Sequence, residues 1–198
     1  RLIDSDKDPS VILLHYPSIL EDTINYIPPR VKIEISCLSM DEPTELRPIR
    51  SLIGESFDGE DTDAESLVRT VVPTRTFLEK LFLLAEEFQK EKPRSVRMSR
   101  HLYDLEKLMD TEYGKDALSN RKLYDAIVEH RKTYYALKYV NYDLHTPSTI
   151  NFTIPESAME AWQDDYADMR RFFIYGESLE FGALIQKMKE LQERVRIM

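Results

Sequence analysis

The chain has 198 residues, 42% of them hydrophobic and 10% aromatic, so it is large enough to bury a core as one domain or as two small lobes. Its formal net charge of -9 argues against a general nucleic-acid-binding protein, because such proteins usually carry an excess of basic residues. The single cysteine, Cys37, argues against a disulfide framework and a cysteine-based zinc site, and without a long apolar run or a signal-peptide pattern we expect a cytoplasmic protein with no membrane span.

The first third of the chain has the patterns of short strands. Residues 11–16 and 67–72 are apolar runs that each lie directly before a proline. Residues 31–36 alternate apolar and polar side chains, which is the clearest strand pattern in the sequence. Residues 47–53 can form another extended piece or a short helix. These patterns predict a small mixed sheet.

A change of period marks the start of the helical part. From Pro73 onward apolar residues recur about every 3.6 positions, which predicts amphipathic helices. Thr76 and Glu79 have the spacing of a capping box and predict the start of the first helix, which Pro93 prevents from continuing.

Four more helices are predicted after the first. They occupy about 96–110, about 121–139, the segment that begins at Pro155, and the segment capped by Ser178. We therefore predict an α+β fold, with a sheet region at residues 1–72 followed by a helical bundle of about five helices at residues 73–198.

Two charged residues lie at the borders of the first two apolar faces. Lys80 lies beside the apolar face of the first helix, and Arg100 and His101 lie within one turn of Asp104 on the second helix. The first face comprises Phe77, Leu78, Leu81, Phe82, Leu84, Ala85 and Phe88, and the second Met98, Leu102, Leu105, Leu108 and Met109. A lysine and an aspartate so placed can meet across a cleft, which is where we look for chemistry.

Each of these residues also has a purely structural interpretation. Lys80 can lay its stem along the apolar face, and Asp104 can pair with Arg100 on an exposed helix surface. His101 can be a packed residue at the edge of the core. Glu34, on the polar face of the clearest strand, can simply be solvated. From the residues alone, these structural interpretations are favoured.

Aromatic residues of the helical part have two interpretations. We expect Trp162, Tyr166, Met169 and Phe173 to belong to the core. A second group lies among Arg and Lys residues and can either pack in the bundle or stack on the bases of single-stranded RNA. It comprises Tyr113, Tyr124, Tyr134, Tyr135, Tyr139 and Tyr142.

Five segments in order resemble a known family. They are residues 26–36 with the sequence Pro-Arg-Val-Lys-Ile-Glu, 46–49, 72–80 with Thr-Phe-Leu-Glu-Lys, 99–105 with Arg-His-Leu-Tyr-Asp, and 165–169. Together they resemble the AbiEii/AbiGii-type nucleotidyltransferase toxins of bacterial abortive-infection and toxin–antitoxin systems, and the resemblance covers nearly the whole chain.

The resemblance implies a fold, a reaction and residue roles. It implies a polymerase-β-like nucleotidyltransferase core followed by a helical domain, and transfer of a nucleotide from an NTP to RNA, notably tRNA, with Mg²⁺. Lys80 matches the lysine associated with the triphosphate, with Arg100 and His101 beside it as nucleotide-binding residues. Asp104 matches a catalytic aspartate. Glu34 falls where the third carboxylate of the fold would lie, which implies both a catalytic and a metal-binding role for it. A toxin–antitoxin system also implies an antitoxin partner.

The sequence departs from this family at its metal-binding motifs. The Gly-Ser turn and the Asp-x-Asp strand are not recognisable, because the candidates at residues 4–6 and 61–63 lie in loop-like surroundings. We therefore expect the C-terminal portion of a longer enzyme, inactive by itself. The alternative is a non-catalytic helical module that binds an antitoxin or another protein, and a third possibility is RNA binding through residues 121–138.

Overall fold

In the computed structural model we describe residues 2–3, 10–17, 28–36, 38, 44–57 and 65–198. Cys37 and the two Asp-x-Asp candidates at 4–6 and 61–63 lie outside the described residues. None of the helices in these ranges is both long and apolar enough to cross a membrane.

The strands form two small antiparallel sheets. The first has the order β1 (Leu2–Ile3), β2 (Ser10–His15) and β3 (Arg30–Ile35), and the second pairs β4 (Thr44–Arg50) with β5 (Glu65–Val71). The predicted strands are thus confirmed, and residues 47–53 supply both the end of β4 and the start of α1 (Leu52–Ser56). The predicted α+β class is also confirmed. The prediction of a mixed sheet was wrong for the described ranges, because every strand pair in them is antiparallel.

Six α-helices follow the strands. They are α2 (Pro73–Glu87), α3 (Ser99–Leu108), α4 (Glu112–Ser119), α5 (Arg121–His130), α6 (Met159–Phe172) and α7 (Phe181–Arg196). Short 3₁₀ turns lie at Tyr142–Leu144 and Glu156–Ala158. The change from strands to long helices occurs at Pro73, as the sequence predicted. The division into domains at 1–72 and 73–198 stays a prediction.

The hydrophobic core of the described residues lies entirely in the helical part. Its buried members fall between Phe77 and Val195. The predicted apolar faces of α2 and α3 are buried or nearly so, and Trp162, Tyr166 and Met169 are at most 1% exposed. The core prediction for Phe173 was wrong, because α6 ends at Phe172 and the next side chain is 45% exposed.

Two predicted caps were wrong. The helix α2 begins at Pro73 with Val72 as its N-cap, so Thr76 and Glu79 lie inside the helix and form no capping box. Proline suits this first helical position because its missing N–H would have no partner in the helix. The N-cap of α7 is Glu180, and Ser178 instead accepts a hydrogen bond from Arg170.

The predicted helix at 121–139 was too long, and α4 was not predicted. After α5 the chain forms a π-helical turn at Arg131–Tyr135. This turn ends at Ala136, which has a left-handed backbone conformation. A π turn shifts the helical register. Tyr134, inside this turn, is 63% exposed, whereas Tyr124 in α5 is fully buried. The short α4 is capped by Thr111, whose hydroxyl accepts a hydrogen bond from the N–H of Gly114.

Candidate functional site

Glu87 closes the connection between α2 and α3. Its buried carboxylate accepts hydrogen bonds from the Arg94 backbone N–H at 2.8 Å, from the Arg94 guanidinium at 2.8 and 3.1 Å, and from Lys90 at 2.8 Å. Burial alone raises the pKa of the Glu87 carboxyl, but these hydrogen bonds hold that pKa below its usual value. The ionised carboxylate thus fixes the turn that brings α3 back along α2.

Asp165 of α6 fixes the first turn of α3. Its buried carboxylate accepts hydrogen bonds from the Arg97 N–H at 2.5 Å, from the Ser99 N–H at 3.0 Å and from the Ser99 hydroxyl at 2.5 Å. A carboxylate at this position satisfies N–H groups that have no partner within the helix. Arg97 has a φ of 57°, which costs a non-glycine residue about 1–2 kcal/mol, and the Asp165 hydrogen bonds offset this cost.

Lys80 of α2 and Asp104 of α3 meet between their two helices. The Lys80 Nζ lies 2.6 Å from the Asp104 Oδ2, with side chains that are 23% and 35% exposed. The predicted meeting of the lysine and the aspartate across a cleft is therefore confirmed. The roles predicted for the two residues stay predictions.

A half-open cavity of about 490 Å³ lies beside this ion pair. Its walls come from α2, α3 and the end of α6, and it is lined by Lys80, Arg100, His101, Tyr103, Asp104, Met169, Phe173, Ile174 and Tyr175. We call it the α2–α3 cavity. Its volume is within the range of about 300–1,000 Å³ that is usual for small-molecule sites. Four of the five predicted site residues thus line one cavity.

His101 is the buried member of this group. Its side chain is 8% exposed, and burial together with the positive charges of Lys80 and Arg100 lowers its pKa to about 4. The imidazole is therefore neutral at pH 7. Its Nδ1 has no hydrogen-bond partner among the described residues. His101 can contribute a hydrogen bond to a ligand but not a positive charge.

A second cavity of about 480 Å³ shares Lys80 and His101 with the first. Its polar wall is an ion-pair network centred on Arg131, which contacts Glu86 at 2.6 and 2.7 Å and also contacts Glu79. Arg75 donates to Glu79 at 2.8 Å on the other side. The second cavity reaches the end of β3, because Ser36 and Leu38 also line it. Lys80 of α2 thus lines the same cavity as the residues that follow β3 in the first sheet.

Glu34 lies apart from the α2–α3 cavity. It is on β3, it pairs with Lys32 at 2.6 Å, and the two side chains are about half exposed. Asp104 is the carboxylate that lines the cavity in the described part of the chain. No group of three histidine, cysteine or carboxylate side chains could hold a metal ion among the described residues. These residues do not by themselves form a Mg²⁺ site, so the metal role of Glu34 stays a prediction.

Sequence reasoning missed two contributions to this site. Asp165 was named only as part of a family-like segment, although it positions the helix that carries Arg100, His101 and Asp104. Tyr175 was not considered, although it is 99% exposed and lines the cavity. Asp165 could have been found because it lies in one of the segments that resemble the family. Tyr175 could not, because an isolated tyrosine near a glycine gives no signal in a single sequence.

The comparisons with known proteins give one match. A family model described as nucleotidyl transferase AbiEii toxin, type IV TA system, matches residues 1–188 of the chain. Searches of curated proteins and of solved structures gave no match.

Proposed function

This chain belongs to the AbiEii family of nucleotidyl transferase toxins of type IV toxin–antitoxin systems, and we propose that its α2–α3 cavity serves the transfer of a nucleotide from an NTP to RNA, with tRNA as the acceptor. The observation that carries the proposal is the convergence of Lys80, Arg100 and Asp104 on one cavity beside the neutral His101. Two cations on the wall of a half-open cavity suit a polyanionic substrate, because phosphate oxygens are bound well by ammonium and guanidinium groups.

The reaction assigns a task to each charged group. The acceptor hydroxyl attacks the α-phosphorus and passes its proton to the Asp104 carboxylate, a new P–O bond forms, and the bond to the β-phosphate breaks so that pyrophosphate leaves with its negative charge. Lys80 stabilises this charge on the phosphate oxygens, and Arg100 holds the outer phosphates. Asp104 orients the Lys80 ammonium and can accept the hydrogen bond of the acceptor hydroxyl. Mg²⁺ would neutralise phosphate charge when bound.

Exposed residues after α5 support RNA as the acceptor. Tyr134 and Tyr139 are 63% and 45% exposed, and an exposed lysine precedes each of them, Lys132 before Tyr134 and Lys138 before Tyr139. Aromatic and basic side chains in alternation suit single-stranded RNA ends, whose bases can stack while the phosphates contact the cations. This surface is local, so it is compatible with a net charge of -9.

The test is transfer of label from α-³²P-labelled NTPs to tRNA by the full-length protein with Mg²⁺. We expect Lys80→Ala and Asp104→Ala each to lower the rate by at least about 100-fold, as is typical when one group that stabilises transition-state charge is removed. The matched control is the Lys187–Glu190 ion pair of α7, which has a contact of 2.9 Å and side chains that are 37% and 44% exposed. Lys187→Ala and Glu190→Ala should keep the wild-type rate. Wild-type rates in both cavity variants would contradict the assignment.

A second candidate function is a non-catalytic module that binds an antitoxin or another protein. Apolar side chains on the strands favour it, because Val31, Ile35 and Leu67 are 51–66% exposed and contact little of the described structure. The same assay decides between the two candidates. Wild-type protein that transfers no label from any of the four NTPs would favour the binding module.

A further inference from the structure

We propose that Phe173 and Tyr175 form the base-binding edge of the α2–α3 cavity and stack on the nucleobase of an NTP whose phosphates contact Lys80 and Arg100. The inference rests on the proposed function and assigns the part of the substrate that the charged residues cannot recognise. Both aromatic side chains line the same cavity as the two cations.

Packing does not explain the Tyr175 ring. Tyr175 is 99% exposed and Phe173 is 45% exposed, whereas the core aromatics Trp162 and Phe152 are fully buried. A buried aromatic side chain removes about 150–250 Å² from water, and Tyr175 contributes almost none of this to the folded protein. Its ring is available to a ligand in the cavity.

The backbone that carries the two rings is fixed at its start. The N–H groups of Phe173 and Ile174 both donate to the Met169 carbonyl, at 2.9 and 3.0 Å. Ile174 packs against the core. The sulfur of the buried Met169 lies 3.9 Å from the hydroxyl oxygen of Ser99. Because Ser99 opens the helix that carries Arg100, the aromatic edge and the cations belong to one packed unit.

The same segment is also fixed at its far end. The Tyr166 hydroxyl donates to the Leu179 carbonyl at 2.9 Å, and the Arg170 Nε donates to the Ser178 hydroxyl at 3.2 Å. Gly176 has a φ of 91°, a conformation that glycine adopts without steric cost, and it turns the chain directly after Tyr175. Because the backbone on both sides of Tyr175 is held in this way, only the side chain has to lose conformational freedom when a ligand binds, which favours affinity.

The arrangement matches the two ends of an NTP. The cations of α2 and α3 face the anionic phosphates, and the aromatic side chains at the end of α6 offer flat surfaces for the base. Stacking tolerates all four bases because each base has a π-face. We therefore expect all four NTPs to bind with similar affinity.

The test compares NTP binding with binding of inorganic tripolyphosphate, which has the charge but no base. In isothermal titration calorimetry with the full-length protein, Tyr175→Leu and Phe173→Leu should each raise the NTP Kd by about fivefold to 150-fold, the usual effect of losing one stacked ring. The tripolyphosphate Kd should stay within about twofold of wild type. Tyr175→Phe keeps the ring and should keep the wild-type NTP Kd.

Two further variants separate the failure of this inference from the failure of the proposed function. Lys80→Ala should raise the Kd of both ligands, and Tyr16→Leu, at an exposed tyrosine that does not line the cavity, should change neither. Unchanged NTP binding in Tyr175→Leu and Phe173→Leu, with lost binding in Lys80→Ala, would overturn the base site alone. A raised KM for tRNA at unchanged NTP Kd would also overturn it, because the rings would then hold an RNA base. Wild-type protein that binds neither ligand would overturn both proposals.

Discussion

Arg131 is a buried cation whose charge is balanced by two carboxylates. It is 5% exposed, it forms two parallel hydrogen bonds with Glu86, and its guanidinium lies 4.6 Å from the centre of the Tyr135 ring. Burial alone would lower the pKa of Arg131, but the hydrogen bonds from the guanidinium to Glu86 raise it instead. The planar guanidinium suits this contact better than an ammonium would, because it donates two bonds in one plane.

Removal of this cation should destabilise the protein strongly. Arg131→Met leaves Glu86, whose side chain is 4% exposed, without its partner, and we expect a loss of about 3–5 kcal/mol in the free energy of unfolding. Urea unfolding followed by circular dichroism measures this loss. Arg196→Met breaks an exposed pair with Glu193 and should cost less than about 1 kcal/mol. Equal losses in the two variants would show that the buried network does not contribute to stability.

At the residue scale, the sequence predicted positions better than partners. The spacing of Lys80 and Asp104 relative to the apolar faces was enough to predict that they meet, because each lies at the border of a face that must be buried. Glu79 was assigned to a capping box, whereas it contacts Arg75 and Arg131. That second contact spans 52 positions along the chain, and no local spacing rule can predict it.

At the scale of elements, two helix glycines have opposite surroundings. A Cβ built on Gly114 in α4 would lie 2.3 Å from the Leu108 carbonyl oxygen and 2.9 Å from the Met109 backbone. A Cβ built on Gly182 in α7 would meet nothing within 4 Å. The missing side chain of Gly114 allows the backbone of α4 to lie close to the end of α3. A side chain at this position would clash, because backbone atoms cannot move aside as a flexible side chain can.

Alanine at these two glycines should therefore change stability in opposite directions. Gly182→Ala should raise the free energy of unfolding by up to about 1 kcal/mol, because alanine has the higher helix propensity. Gly114→Ala should lower it by about 1–3 kcal/mol, because the clash outweighs the gain in propensity. Thermal unfolding of the two variants beside wild type measures both signs. Stabilisation by Gly114→Ala would show that the α3–α4 turn relaxes without cost.

Element boundaries were less predictable than element types. The predicted helix at 121–139 was continuous because periodicity does not show a π turn, which inserts one residue into the register at 131–135. The short α4 was missed because eight residues with one glycine give a weak apolar pattern. The strands were found because short apolar runs before a proline, and the alternation at residues 31–36, need few residues to be recognised.

At the scale of the whole molecule, burial is concentrated in the helices. The described core lies between Phe77 and Val195, whereas Ile33, Leu46 and Ile49 on the strands are 41–59% exposed. The α+β class could be predicted because the change of period at Pro73 is a local signal. The exposure of both sheets could not, because alternation shows that a strand has an apolar face but not what covers it.

Two buried histidines link the stability of this core to pH. Burial lowers the pKa of His101 to about 4, and the positive charges of Lys80 and Arg100 add to this effect. Burial also lowers the pKa of His145 to about 4, together with the positive charge of Arg131. His145 is 2% exposed and lies among the rings of Phe82 and Tyr142. The unfolded chain binds these protons near pH 6.5, whereas the folded protein binds them only near pH 4. Their contribution is thus fully present above about pH 6.5 and is lost as the pH falls toward 4.

We therefore expect the free energy of unfolding to fall between pH 6.5 and pH 4, with a slope approaching about 1.4 kcal/mol per pH unit for each histidine. Urea unfolding at pH 7.5, 6.5, 5.5 and 4.5 measures the slope. His145→Gln should make it shallower, because glutamine binds no proton in either state, even if the variant is less stable at pH 7.5. Stability that stays constant from pH 6.5 to 5 in wild type would show that the folded protein accepts these protons as readily as the unfolded chain does.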